Sequence, residues 1–217
     1  MSKRTGLIFL LAITITTLMT ACQQVARMAQ PSPNEERRAT TPIDSPTVRR
    51  VVEDAVEQST YTLYYDPSYV KLDYPGGDVP RERGACTDVI IRAFRKADVD
   101  LQKEIHEDMA RSFNAYPQKW GLARPDRNID HRRVPNMMTY FARQRKALAI
   151  TAEAKDYLPG DVVAWDLGNG TTHIGLVTNI ISDNPGGFLL AHNIGAGVKI
   201  EEVLFTWRII GHYRFFK

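Results

Sequence analysis

A thiol at Cys86 and imidazoles at His173 and His192 are the residues of this chain that could do covalent chemistry together. Acyl transfer needs a nucleophile, a base that takes and returns its proton, and a polar group that orients the base. The chain supplies Cys86, His173, and then His192 or Asn193, in that order. The thiolate is the reactive form of cysteine. A helix start favours it, because free backbone N–H groups and the positive dipole end point towards the sulfur. The N–H of Cys86 is itself a candidate oxyanion donor. The plainer alternatives stay open. A free cysteine also serves as a small buried hydrophobe, and a lone strand histidine is ordinarily structural.

The elements that must position these groups can be read from periodicity. Cys86 ends a stretch punctuated by turn residues, Tyr74-Pro-Gly-Gly-Asp78 and onwards. From Cys86, the apolar residues Val89, Ile90, Ala93, Phe94 and Ala97 recur at helical spacing, and Asp88, Arg92, Arg95 and Lys96 take the other side. This predicts a thiol in the first turn of an amphipathic helix, facing inward. From Ala149 the period becomes two. Short apolar runs at Val162–Trp165, Thr172–Val177, Phe188–His192, Val198–Ile200 and Ile209–Phe215, separated by Gly, Asp and Asn turns, predict an antiparallel meander. His173 opens one strand and His192 closes its neighbour, so antiparallel pairing brings both to one edge of the sheet.

Other segments fill in the frame. Ser45-Pro46 is an N-cap and first helical position for a helix reaching about Gln58. Tyr61 to Tyr65 reads as extended. Asp98 to Phe113 reads as a second helix, with His106 solvated on it. Ala115 to Asp130 is irregular. Asp130, His131, Arg132 and Arg133 then crowd before a short helix carrying Met137, Tyr140 and Phe141 inward. Those four residues are either capping and surface charge, or a cleft wall whose arginine fork holds a carboxylate.

The first 21 residues have two positive charges, a short apolar run from Gly6 to Leu18 and small residues before Cys22, as a secretory signal does. The run is too short to span a membrane, which takes roughly 20 apolar residues. Thr20-Ala21-Cys22 resembles the cleavage site of bacterial lipoproteins, and that resemblance makes Cys22 the lipidated first residue of the mature chain. Gln23 after it points to the outer membrane. The expected organisation is a signal over 1–21, Cys22 and a flexible tether over 22–44, and one domain over 45–217. The formal charge is +3, and the signal holds Lys3 and Arg4 with no acid, so the mature chain carries +1. No nucleic-acid footprint follows from that balance. With Cys22 lipidated, Cys86 has no partner in an oxidising compartment, which calls for a reason.

A helix-start cysteine followed by Leu158-Pro-Gly-Asp-Val-Val-Ala-Trp165, then His173-Ile-Gly-Leu-Val177, then a strand ending in His192, resembles the papain-like bacterial cell-wall cysteine peptidases and amidases of the NlpC type. The likeness covers roughly residues 60–215. Within it, Cys86-Thr-Asp88 and Asn128-Ile-Asp-His-Arg-Arg-Val-Pro-Asn136 resemble the YijF-like lipoprotein family. The resemblance implies an α+β papain-like fold, with the nucleophile at the N-terminus of a helix packed on an antiparallel sheet. It implies Cys86, His173 and His192 as the triad. Tyr74 matches a tyrosine that often lines the site in that superfamily. Tyr74, Asp88, Asp130, His131, Arg132, Trp165 and Asn193 form the expected substrate-binding set. Ala85-Cys86-Thr87-Asp88 departs from the usual Asp-Cys-Ser-Gly signature, and the insertion from Leu101 to Asn136 is long.

The expected activity is amide hydrolysis in peptidoglycan stem peptides at the periplasmic face of the outer membrane, with no cofactor. Membrane contact would come through the N-terminal lipid alone. Three alternatives use the same residues. They are a non-catalytic cell-wall binding module, a zinc site on Cys86, His173 and His192 with His131, and acyl transfer through the same thioester.

Overall fold

The computed structural model describes residues 38–217. The expected signal, Cys22 and the tether up to residue 37 lie outside the described residues. The tether's expected end at 44 is corrected. Thr40 bridges Ile180, the Thr41 N–H donates to Asn179 O at 3.0 Å, and the Ile181 N–H donates to Ala39 O at 2.9 Å. The strand that these residues join outruns its neighbours, and its projecting backbone groups need partners.

Ser45 caps α1 (Pro46–Glu57), whose Val51, Val52 and Ala55 are buried. A parallel ribbon follows, pairing β1 (Tyr64–Tyr65) with β2 (Arg83–Gly84). β2 leads directly into α2 (Cys86–Arg95), which begins at the thiol as its pattern predicts. Asp88 holds the turn before it, accepting the Ala85 N–H at 2.6 Å. The next helix, α3 (Leu101–Ser112), starts three residues after its expected Asp98. Asp98 takes a positive φ of 59°, which closes the preceding helix, and the Asp100 carboxylate caps α3 by accepting from the Gln102 N–H. α4 (Val134–Arg143) carries Pro135 in its first turn and buries Met137, Tyr140 and Phe141 as expected.

The five remaining strands are β3 (Val162–Gly168), β4 (Thr171–Ile181), β5 (Phe188–Asn193), β6 (Val198–Glu201) and β7 (Arg208–Tyr213). They form an antiparallel sheet in the order β6-β5-β4-β3-β7. The fold is therefore a mixed helix and antiparallel-sheet architecture, with the thiol at the start of a helix laid on the sheet. β7 stops at Tyr213, short of the expected Phe215. Phe215 and Phe216 turn in against Phe94, with ring centroids at 5.2 and 4.8 Å.

Side-chain alternation divides the sheet into two faces. Val162, Ala164, Ile174, Leu176 and Ala191 face the helices and share a core with Cys86, Ile90 and Phe94. Val163, Trp165, Val177 and Leu190 face the other way, against Tyr157, Val203 and Leu204. Each fully buried Phe or Leu contributes about 1.5–3 kcal/mol, so the helix-side core fixes where the first turn of α2 meets the sheet.

Candidate functional site

The Cys86 sulfur lies against the beginning of β4. Backbone N–H groups of Ile174, Thr87 and Cys86 converge on it. Ile174 is the residue after His173, so the thiol sits one peptide unit from the histidine that opens the strand. It also lines a cleft of about 290 Å³ with Tyr65, Trp120, Arg133 and Thr172. Only 6% of Cys86 is exposed. Burial pushes the thiol up to about 12, beyond what the three N–H groups can offset. The resting thiolate expected at a helix start is corrected on this point, because loss of water outweighs the helix terminus.

His173 and His192 occupy neighbouring strands. Their rings meet with Nε2 of His173 and Nδ1 of His192 at 3.0 Å. His192 reaches onward, its Nε2 lying 3.1 Å from a carboxylate oxygen of Glu201. His192 pairs with Lys199 across β5 and β6, which makes Glu201 its diagonal neighbour on the same face. Trp165, directly opposite His173 on β3, stacks on its ring at 5.6 Å, and Trp207 stands edge-on to both imidazoles. Gly175 makes this packing feasible, since a Cβ there would come within 3.2 Å of both His192 Cβ and the Trp165 ring. Burial, with the neighbouring His192, lowers the His173 pKa to about 3. Burial also lowers that of His192, against the pull of Glu201. Both rings are on the sheet face away from the helices, and the β4 backbone lies between them and the sulfur. No hydrogen bond joins Cys86 to either ring among the described residues.

The expected substrate-binding residues are mostly structural. Arg132 does hold a carboxylate in its fork, but the carboxylate is Asp88, at 2.8 and 2.9 Å. Two more N–H groups go to the Ser68 and Asp66 carbonyls. Arg132 borders the cleft with four of its five N–H donors already used. Asp130 is buried, accepting from the Asp126 N–H and from Arg133. His131 is buried outside the cleft, and burial lowers its pKa to about 3. Trp165 is fully buried, its indole N–H donating to Leu204 O at 2.9 Å. Asn193 is a buried staple, donating to Gly84 O at 2.8 Å and to Tyr64 O at 3.3 Å. It therefore makes no approach to the imidazoles, unlike His192. Tyr74 packs edge-on to His106 and beneath Arg127, away from Cys86. The tyrosine that does line the cleft is Tyr65. As to the zinc alternative, among the described residues no group of three or more His, Cys, Asp or Glu side chains is arranged to hold a metal ion.

Sequence reasoning missed Tyr65, Lys119, Trp120, Glu201 and Trp207. Glu201 was reachable in principle, because strand alternation places it on the His192 face once the β5–β6 register is known. Tyr65 sits in a segment read as extended, but its pairing with β2 beside Cys86 has no local signal.

The described fold and site define a helix-and-sheet protein with a sheltered thiol on one face of the sheet and a buried histidine pair on the other. The chain belongs to the family described as Domain of unknown function (DUF1287), whose model matches residues 52–215. It is 54% identical over 174 residues to a protein of Escherichia coli (strain K12) titled Uncharacterized protein YijF, covering 80% of this chain and 84% of that one. A crystal structure titled as similar to lipoprotein, NLP/P60 family, from Staphylococcus aureus, overlays at a TM-score of 0.39 with 15% identity, covering 90% of this chain. This chain spans about half of that structure, 48% of its length, and such a score is too low to relate the two folds. No helix of the described residues is long and apolar enough to cross a membrane.

Proposed function

We propose that this chain is an exported, lipid-anchored cysteine hydrolase of the papain-like NlpC type, cleaving an amide bond in peptidoglycan stem peptides. The observation that supports it most is the series His173–His192–Glu201, which begins one residue before the Ile174 N–H that meets the Cys86 sulfur. A carboxylate can only accept, so His192 donates from Nε2 to Glu201 and accepts at Nδ1. His173 must then donate from its own Nε2. That leaves Nδ1 of His173 unprotonated, and burial keeps the ring neutral. Glu201 thus sets the tautomer of a ring it does not touch.

In this reading Cys86 is a base-activated thiol rather than a standing ion pair. The β4 backbone separates ring from sulfur in the resting protein, so in this reading the start of β4 shifts as substrate binds and brings His173 Nδ1 to the thiol. His173 Nδ1 takes the thiol proton as Sγ bonds to the carbonyl carbon. The Cys86 and Thr87 N–H groups meet the negative oxygen. The imidazolium returns the proton to the departing amine as the C–N bond breaks. Water then hydrolyses the thioester, again with His173 taking and returning a proton. Export and lipidation rest on residues 1–22, and the substrate class on the motifs from Leu158 to His192.

The buried thiol, pushed up to about 12, favours a second reading, in which the cleft grips a cell-wall peptide without cutting it. One experiment separates the two. Purified protein and its Cys86→Ala variant are incubated with peptidoglycan fragments, and new amine ends are counted. Hydrolysis by the first alone supports the enzyme. Equal release by both rejects it.

A further inference from the structure

The Cys86 cleft is lined by Lys119, Arg132 and Arg133, and by no aspartate or glutamate. These cations differ in what they have left to give. Arg132 is neutralised by Asp88 and has a single N–H group left over. Lys119 is exposed at the rim and makes no hydrogen bond or ion pair among the described residues. Arg133 gives one N–H to Asp130 at 3.1 Å and lays its guanidinium over the Trp120 ring at 4.1 Å. Its other N–H groups are without protein partners among the described residues. Trp120 therefore holds Arg133 by its flat face and leaves donor edges free. Thr172, at the start of β4 and beside the thiol, adds a hydroxyl with no partner among the described residues. An ammonium, a guanidinium edge and a hydroxyl lining one cleft make an anion site.

We propose that Lys119, Arg133 and Thr172 bind a free carboxylate on the molecule that Cys86 acts upon, so that the cleft selects acidic peptides over neutral ones. This deepens the hydrolase reading and rests on it for the identity of the occupant. The charge of the wall stands independently, because it needs no chemistry at sulfur. Lys119 and Trp120 lie between α3 and α4, within the long insertion, so selectivity comes from a segment separate from the sheet that carries the histidines.

The test uses two alkylating reagents of similar size and opposite character. Iodoacetate carries a carboxylate and iodoacetamide does not. The full chain is exposed to each, and Cys86 modification is read by peptide mapping. The rate ratio of iodoacetate to iodoacetamide is compared with that of the same chain unfolded in urea. A charge-assisted site predicts a ratio about tenfold higher in the folded protein. Lys119→Glu should abolish that gain, and so should high salt. An unchanged ratio overturns the proposal, as does a Cys86 that neither reagent reaches. Peptide acids and their carboxamides form a separate arm, read as hydrolysis. Absence of hydrolysis with the iodoacetate preference intact removes the enzyme but leaves the carboxylate site. Equal hydrolysis of acid and amide removes the site but leaves the enzyme.

Discussion

His212 on β7 and His173 on β4 flank the same strand, β3, share one face of the sheet and are both almost wholly buried. Their partners make them different objects. His212 Nε2 lies 2.8 Å from Asp161, its Nδ1 lies 3.1 Å from Ala149 O, and Tyr157 stacks on its ring at 4.2 Å. Both nitrogens are held against protein oxygens, so neither faces a thiol or a cleft. Asp161 also accepts two bonds from Arg214 at 2.7 Å and the Leu158 N–H at 2.8 Å. This cluster closes on itself and ties β7 to the turn before β3. His173 has one nitrogen committed to His192 and the other without a partner among the described residues, one residue before the Ile174 N–H that meets the thiol. A buried histidine is a candidate base only where its hydrogen bonds leave something over.

That contrast can be broken in several ways. His173→Ala should lower turnover of peptidoglycan fragments by about 10³-fold or more in protein that is still folded, the scale of a lost general base. His212→Ala should lower the melting temperature and leave turnover of the folded protein close to normal. Asp161→Ala leaves Arg214 and His212 without their carboxylate and should cost about 3–5 kcal/mol in denaturant unfolding. A loss below about 1 kcal/mol would show that the cluster is not what ties β7 down.

Acid should weaken the fold through the neutral imidazoles. His173 and His131 are held near 3 when folded, against about 6.5 when unfolded. The unfolded chain then binds more protons between those values, so stability is complete above about 6.5 and falls as pH drops towards 3. At pH 5 each ring should cost about 2 kcal/mol, and replacing either by an apolar residue should flatten the urea-midpoint curve between pH 7.5 and 5. Glu201→Gln should have the smallest effect on stability, because the carboxylate is half exposed, yet should lower turnover about tenfold by releasing the tautomer of His192. An unchanged rate and pH profile would mean that Glu201 is incidental.

Much of this frame is legible in the sequence. The 3.6-residue stripe from Cys86 to Ala97 and the period-two runs after Ala149 each have one physical reading, because an apolar face must be buried. Alternation also placed His173 with Gly175 and Val177, as observed. The cleft was less legible. Arg132 was expected to reach a substrate carboxylate, but the matching acid, Asp88, comes from 44 positions away in the chain. Such a pairing has no local periodicity. Tyr74 was expected from its match to a tyrosine of the resembled superfamily, whereas Tyr65 lines the cleft through a two-residue ribbon too short to leave a pattern. The thiol's acidity also depended on burial, which only packing decides.

The most direct test is to catch the bond that Cys86 would form. Protein reacting with peptidoglycan fragments is quenched in acid and weighed intact. A hydroxylamine-labile adduct on Cys86, absent from Cys86→Ala together with all cleavage, is the predicted result. Cleavage that persists in Cys86→Ala would contradict it.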